Sequence, residues 1–297
     1  MASPNAYTYD DAAIREDLLN VLTNLSPKNT QLVSGLGNST ANSIRHEWLI
    51  KTLGTVKTNA YVEGVDASYA NLTDPTRLIN YTQIFREAYQ VTDTERSVNQ
   101  AAFNDRFALE ASDALAELKN DMELAILRGS LACGTGSAAR QLRGIKNSLS
   151  LVTSQSGVSL TENILNNYFQ LVWDNTSTEV NAVYGSMYIK RKISAFTAGA
   201  TKNFDQADRR LINAIDVYQA DAASNVKLFA HRYATIAGDT NYDVIGINEE
   251  MFKVAYLRKP FTRELAKTGD ATKGEVVTEA TLENKHYHAG FLGQAHL

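Results

Sequence analysis

Residues 97–129 read SVNQAAFNDRFALEASDALAELKNDMELAILRG, and one period runs through them. Phe103, Phe107, Ala111, Ala114, Leu118, Met122 and Ala125 recur in steps of four and three, which puts them on one face of an α-helix. The stretch opens with Ser97-Val98-Asn99-Gln100, a Ser-x-x-Gln pattern that predicts a capping box at the helix start. It closes with Arg128-Gly129, a cation in the last turn and then the residue that best tolerates a left-handed C-cap. At 1.5 Å per residue the predicted helix is ~45 Å long, more than a small compact domain needs. Leu109, Ala116 and Leu127 form a second, sparser apolar line roughly opposite. A helix dry on two sides lies between two layers, or between a layer and another subunit. It reads as a spine, although the central helix of an α+β enzyme would carry the same pattern.

The rest of the chain bounds what such a spine can serve. At 297 residues there is room for two or more compact units, and an apolar fraction of 44% is that of a folded protein. A net charge of −4 argues against a surface that wraps nucleic acid by charge. The cluster Lys190-Arg191-Lys192 reads as a solvated helix start. Cys133 is the only cysteine, so no internal disulfide can form and an intracellular folding environment is expected. The first residues lack a basic region followed by an apolar one, so no secretory signal is expected, and no apolar run approaches the ~20 residues that span a bilayer.

Before the spine, residues 7–25 combine Asp10-Asp11 with Ile14, Leu18, Leu19, Leu22 and Leu25, a short amphipathic helix that Pro27 stops. Residues 32–42 are small and glycine-bearing, so the opening segment reads as an arm. Residues 43–52 look like a strand. Residues 77–92 look like another, with Ile79, Tyr81, Phe85, Tyr89 and Val91 at odd positions. Between them lies a long, polar, turn-rich excursion, residues 54–75. Such loops tend to be functional. Two readings stand: a projecting β-hairpin that finds its burial on a neighbour, or a surface loop without order of its own.

After the spine, residues 130–159 are rich in Gly, Ser and Ala and read as a flexible connector. Thr161 is a plausible N-cap for a helix with Ile164, Leu165, Tyr168, Phe169, Val172 and Trp173 on one face. Strands at 181–188, 211–220 and 226–229 and a helix at 189–200 complete an α/β unit over about 160–247. A strand at 251–261 ends near Pro260, residues 268–273 turn, and a last strand at 275–289 has one face drier than the other.

No reaction chemistry emerges from these residues. Gly134-Thr135-Gly136-Ser137 lacks the lysine and spacing of a phosphate loop, and no Gly-x-Ser-x-Gly elbow occurs. His46-Glu47 begins like a zinc-protease motif, but Ile50 stands where the second histidine belongs. His286 and His288 share a predicted strand face and could be half of a metal site, with no third ligand marked nearby. Cys133 has no histidine at diagnostic spacing, and Asp121 and Glu123 point to different helix faces. Tyr61, Tyr69, Tyr81 and Tyr89 lack the basic neighbours that base stacking wants and read as interface anchors.

The order of parts and five blocks of residues carry a resemblance. The blocks are Asn24-Leu25-Ser26-Pro27-Lys28-Asn29-Thr30, Arg45-His46-Glu47-Trp48, Asn80-Tyr81-Thr82-Gln83-Ile84-Phe85-Arg86, Glu117-Leu118-Lys119-Asn120-Asp121-Met122-Glu123, and Ala255-Tyr256-Leu257-Arg258 through Glu264-Leu265-Ala266-Lys267-Thr268-Gly269-Asp270. In this order the chain resembles the major capsid proteins of tailed bacteriophages, whose α+β fold is named after phage Hong Kong 97 and is shared with encapsulin shells. Gln31 stands where the resemblance leads one to expect a proline.

The resemblance implies an icosahedral shell subunit that is not an enzyme and needs no cofactor. Residues 1–42 would be the N-terminal arm, 43–92 the extended β-hairpin or E-loop, and 93–159 the P-domain spine helix and connector. Residues 160–247 would be the A-domain and 248–297 the strands returning to the P-domain. The implied contact positions are Leu18 and Leu22 in the arm, Tyr61, Glu63, Tyr69 and Arg77 in the hairpin, and Leu109 and Leu127 on the spine. Expected partners are further copies in pentamers and hexamers, a portal, scaffolding or decoration proteins, and enclosed double-stranded DNA. The arm helix starts almost at once, so no cleavable scaffolding segment is expected. An encapsulin-like shell around a protein cargo and an α+β enzyme of unknown chemistry are the alternatives.

Overall fold

The computed structural model describes residues 30–54, 56–67, 69, 72–98, 105–196, 204–205, 210–211, 216–235 and 241–297. The helix expected within residues 7–25, with Leu18 and Leu22, lies outside them. The described part opens with a short helix α1 (Gln31–Gly35) and strands β1 (Gly37–Thr40) and β2 (Arg45–Ile50). Strands β3 (Thr76–Tyr81) and β4 (Gln83–Thr92) follow the excursion, then a short helix α2 (Asp93–Ser97) and the spine α3 (Arg106–Arg128). Next come α4 (Ile145–Ser148), β5 (Leu151–Ser154), α5 (Glu162–Asn175), β6 (Ala182–Gly185) and α6 (Met187–Ser194). A two-residue pair, β7 (Phe204–Asp205) and β8 (Arg210–Leu211), precedes β9 (Val217–Ala220), β10 (Ala223–Ala230) and β11 (Tyr242–Ile247). The chain ends with β12 (Phe252–Leu265), β13 (Ala271–Asn284) and β14 (Gly290–His296).

The spine starts later than the capping box predicts. Ser97 is the last residue of α2, where its hydroxyl donates to the Asp93 carbonyl at 2.8 Å, and Gln100, the other half of the expected box, lies outside the described residues. Thr92 caps α2, and Asp105 caps the spine by accepting from the Phe107 N–H at 3.0 Å. The spine is 23 residues long, ~35 Å. Gly129 ends it without a left-handed turn, at φ −50° and ψ 141°. A Cβ there would lie 2.5 Å from the carbonyl oxygens of both Ala125 and Leu142, so close approach of the following chain, not handedness, requires glycine.

Among the described residues there are two larger sheets, and the spine packs on the first of them, through β4 and β13. The first runs β1-β12-β13-β4 and the second β5-β14-β11-β6-β10-β9. Alternation along the second sheet's strands sorts its side chains into two cores. Tyr184, Ile245, Ile247 and Leu292 join Leu118, Met122, Ile126, Leu127, Val276 and Ala280 in one. Val183, Val244 and Phe291 join Leu165, Phe169, Val172, Ile189 and Ile193 of α5 and α6 in the other. Covered on both faces, β6 reads Ala-Val-Tyr-Gly with no charged side chain, and its one hydroxyl, on Tyr184, donates to Glu249 at 2.5 Å.

Several expectations change. The strand read at 77–92 is two strands, broken at Thr82, which pair in different sheets. The connector 130–159 is not slack: it holds α4 and β5 and buries Leu142, Ile145 and Leu149. Pro260 does not end β12, which runs past it through two shifts of register between Tyr256 and Phe261. Trp173 is exposed rather than part of the buried α5 face. The last predicted strand stops at Asn284, and a turn leads into β14, which pairs with β11 and β5. The second sheet thus draws β5 and β14 from outside residues 160–247.

Candidate assembly surfaces

Among the described residues strands β2 and β3 pair only with each other, in register from Arg45 opposite Tyr81 to Ile50 opposite Thr76. Glu47 on β2 sits between two cations, Arg45 at 2.6 Å and Arg77 at 3.2 Å. Beyond this ladder the described residues of 51–75 form no regular structure except a turn at Glu63-Gly64, where Gly64 takes φ +82°. Along it Leu53 (92%), Val56 (102%), Val62 (78%), Tyr69 (95%) and Leu72 (89%) stand in solvent, with Tyr61 and Val65 more than half exposed. So many large apolar side chains on one projecting segment mark a surface that is covered by something.

The base of this hairpin is held by polar contacts. Thr82 is wholly buried; its N–H donates to the Ile44 carbonyl at 2.9 Å and its hydroxyl to Glu279 Oε1 at 2.7 Å. Arg140 donates from Nε to the Thr82 carbonyl at 3.2 Å and from Nη2 to Glu279 Oε1 at 2.6 Å. Arg258 donates to the other Glu279 oxygen at 3.0 Å. Asn80 donates to the carbonyls of Leu282 (2.7 Å) and Arg143 (3.1 Å) and accepts from the Arg143 N–H at 2.8 Å. The Trp48 indole donates to the Asn284 carbonyl at 2.8 Å. The glutamates at odd positions of β13 are therefore not wet: Glu275 pairs with Arg263, Glu279 with Arg140 and Arg258, and Glu283 lies 3.5 Å from His46.

On the spine, Leu109 is half-buried, while Leu127, expected to face a neighbour, is wholly buried within this chain's own core. Tyr89 is half-buried and packs against Phe107 at 5.0 Å, so it holds β4 to the spine and is no free anchor. Glu87 on β4 has its carboxyl pushed above the usual range by burial, then by Asp121 and Glu117 on the spine. Asp93 is held below its usual range by hydrogen bonds from Lys267 and Thr272.

His286 and His288 lie in the turn after β13 rather than on a strand face, with the His288 N–H donating to His286 Nδ1. Among the described residues no three His, Cys, Asp or Glu groups are placed to hold a metal. Cys133 is exposed. Lys190 and Lys192 are engaged with Asp216 and Ser159. Among the described residues no helix is long and apolar enough to cross a membrane.

Known proteins share this arrangement. A curated major capsid protein of Escherichia phage Phieco32 is 28% identical over 131 residues, which span 43% of this chain and 37% of that relative. The capsid of a native GTA particle superposes with a TM-score of 0.70 at 9% identity, over 99% of this chain and 100% of that one. A Gordonia phage Cozz chain does so with 0.65 at 10% identity, over 100% and 97%. The capsid of Myoviridae phage XM1 gives 0.60 at 11% identity, over 96% and 100%. The fold is therefore that of phage capsid proteins, mixed α and β as the Hong Kong 97-like resemblance implies. The family model described as SU10 major capsid protein matches residues 4–293, and this chain belongs to that family.

Proposed function

We propose that this chain is the building block of the icosahedral head shell of a tailed phage, a structural protein that is not an enzyme. The observation that carries the reading is the hairpin: a two-stranded ladder anchored at its base, whose outer residues expose Leu53, Val56, Val62, Tyr69 and Leu72. Surface of that kind gains burial from an adjacent subunit, so each subunit is stabilised by joining the shell. Contacts running from one copy's hairpin to a different patch on the next are head-to-tail, and head-to-tail contacts close into rings. The pentamers and hexamers of a shell are such rings.

In this reading residues 1–42 are the arm, rooted in the body by α1 and β1; 43–92 are the E-loop, whose ladder and tip lie on a neighbour while β4 stays in the body's sheet beside β13; and 160–247, with the strands that complete its sheet, are the A-domain at the five-fold and six-fold axes. The arm's Leu18 and Leu22, the hairpin's Tyr61, Glu63, Tyr69 and Arg77, and Leu109 on the spine are the proposed contact positions. The shell encloses double-stranded DNA without reading its sequence, which a net charge of −4 suits. A portal and scaffolding or decoration proteins are its expected companions, and assembly takes place in the host cytoplasm.

Size-exclusion chromatography with negative-stain microscopy tests this on the full chain and on a chain lacking residues 54–75. Capsomers or closed shells from the full chain, lost with the deletion, are the expected result. A monodisperse folded monomer at high concentration in both cases would remove the self-assembly reading.

A further inference from the structure

We infer that Arg140 is a positioning residue for assembly: it fixes the angle at which the hairpin leaves the body, and so where its tip reaches a neighbour. The inference rests on the proposed docking of the hairpin. The backbone changes sheets within one residue, Thr82, between β3, which pairs with the hairpin's other strand, and β4, which pairs with β13. Every polar group of Thr82 is held by a different segment: its N–H by Ile44, its hydroxyl by Glu279 on β13, and its carbonyl by Arg140. A residue tied in three directions cannot rotate, so the bend is fixed there.

Arg140 supplies one of these ties and braces a second, because it also holds the Glu279 oxygen that accepts from the Thr82 hydroxyl. Its planar fork reaches the Thr82 carbonyl through Nε and Glu279 through Nη2, a pairing the single ammonium of lysine cannot reproduce. Its own segment is anchored, because Gln141 pairs with Ala132 and Arg143 is bound by Asn80 through both its N–H and its carbonyl. These contacts are directional hydrogen bonds, and charge-assisted ones hold geometry as well as energy. Apolar packing alone would let the ladder slide and tilt.

Hydrogen exchange on the full chain before assembly tests this, read in peptides from the hairpin base (residues 44–50 and 76–83) and from the spine (118–127). Arg140→Ala is expected to speed exchange at the base about tenfold, with spine peptides unchanged. Arg140→Lys is expected to fall between it and the wild type, and the yield of closed shells in negative stain to fall in the same order. Arg140→Lys, which keeps the charge but not the fork, decides the role of Arg140 if Arg140→Ala does not fold. Thr82→Val, which deletes only the hydroxyl tie while keeping the branched shape, tests the rest of the clasp. Wild-type exchange at the base in Thr82→Val, or spine exchange rising as much as the base, overturns the clasp. Faster base exchange with an unchanged shell yield overturns the positioning role. Loss of shells on deleting residues 54–75 tests docking by itself, so failure of docking and failure of the clasp give different results.

Discussion

Glu123 is a fully buried carboxylate to which three donors of the protein turn. The N–H groups of Leu32 and Val33 reach it at 2.7 and 2.8 Å, and His231 Nε2 at 2.7 Å, with both side chains fully buried. The Tyr233 N–H donates to His231 Nδ1, so the imidazole carries its proton on Nε2 and donates a hydrogen bond from it to the Glu123 carboxylate. One residue of the spine thereby holds α1 at the root of the arm and the segment that follows β10. Glu123→Gln turns an NH2 toward groups that are all donors, so it is expected to cost about 2–3 kcal/mol, read as a lower urea midpoint. A midpoint unchanged within error would mean that the site relaxes around the amide. Buried His296 acts differently: its Nδ1–H donates to the Val158 carbonyl and Nε2 accepts from the Tyr168 hydroxyl, an arrangement that needs the neutral ring. Burial lowers its pKa, against weaker opposing effects of the Val158 carbonyl and Asp243. The unfolded chain takes up a proton near the ordinary value of ~6.5 that the folded chain refuses. Stability from this group is therefore full above that value and lost as pH falls toward the folded pKa. Urea midpoints taken from neutral to mildly acid pH should fall more in the wild type than in His296→Gln.

At the scale of elements, backbone approach decides the spine's end. Gly129 meets two carbonyl oxygens where a Cβ would go, and Gly144, whose Cβ would lie 2.6 Å from the Gly129 nitrogen, faces it. Gly129→Ala should therefore cost about 2–3 kcal/mol through forced displacement, measured as a lower thermal midpoint. An unchanged midpoint would show that residues 142–144 give way freely. Glycine at that position was legible in the sequence, but its reason was not, because a C-cap signal and a contact with a distant segment look alike along the chain. The spine was legible for the opposite reason: Ala114, Leu118 and Met122 are buried by a period that is local. Non-local events hid the rest. The break at Thr82 leaves the alternation from Ile79 to Val91 formally intact, so one strand and two read the same. Glu275, Glu279 and Glu283 look like a wet face until arginines 12 to 139 positions away cover two of them. Leu127 continued a plausible outer line on the helix, and only the packing of segments distant in sequence puts it inside. Of the candidate surface, the exposed hairpin was foreseeable from its length and tyrosines. The polar clasp at its base was not, since it joins residues 80–82, 140–143 and 279.

For the molecule as a whole, the hairpin tip separates two kinds of stability. Val56 and Leu72 are almost entirely exposed in the single chain, so nothing in its fold depends on them. If a neighbour covers them, each contributes about 1.5–2 kcal/mol to association by burial alone. Replacing both by aspartate removes that gain and adds the cost of bringing charge into an apolar contact. A loss of about 3 kcal/mol per subunit contact raises the concentration at which shells form by about a hundredfold. Light scattering against protein concentration reads that threshold, and the urea midpoint of the unassembled chain serves as the control. The double variant Val56→Asp, Leu72→Asp should keep the wild-type midpoint while its assembly threshold rises. An unchanged threshold would place the neighbour's contact elsewhere on the hairpin. A fallen midpoint would mean that the tip packs on its own subunit, and the division between a self-sufficient body and a shared hairpin would be lost.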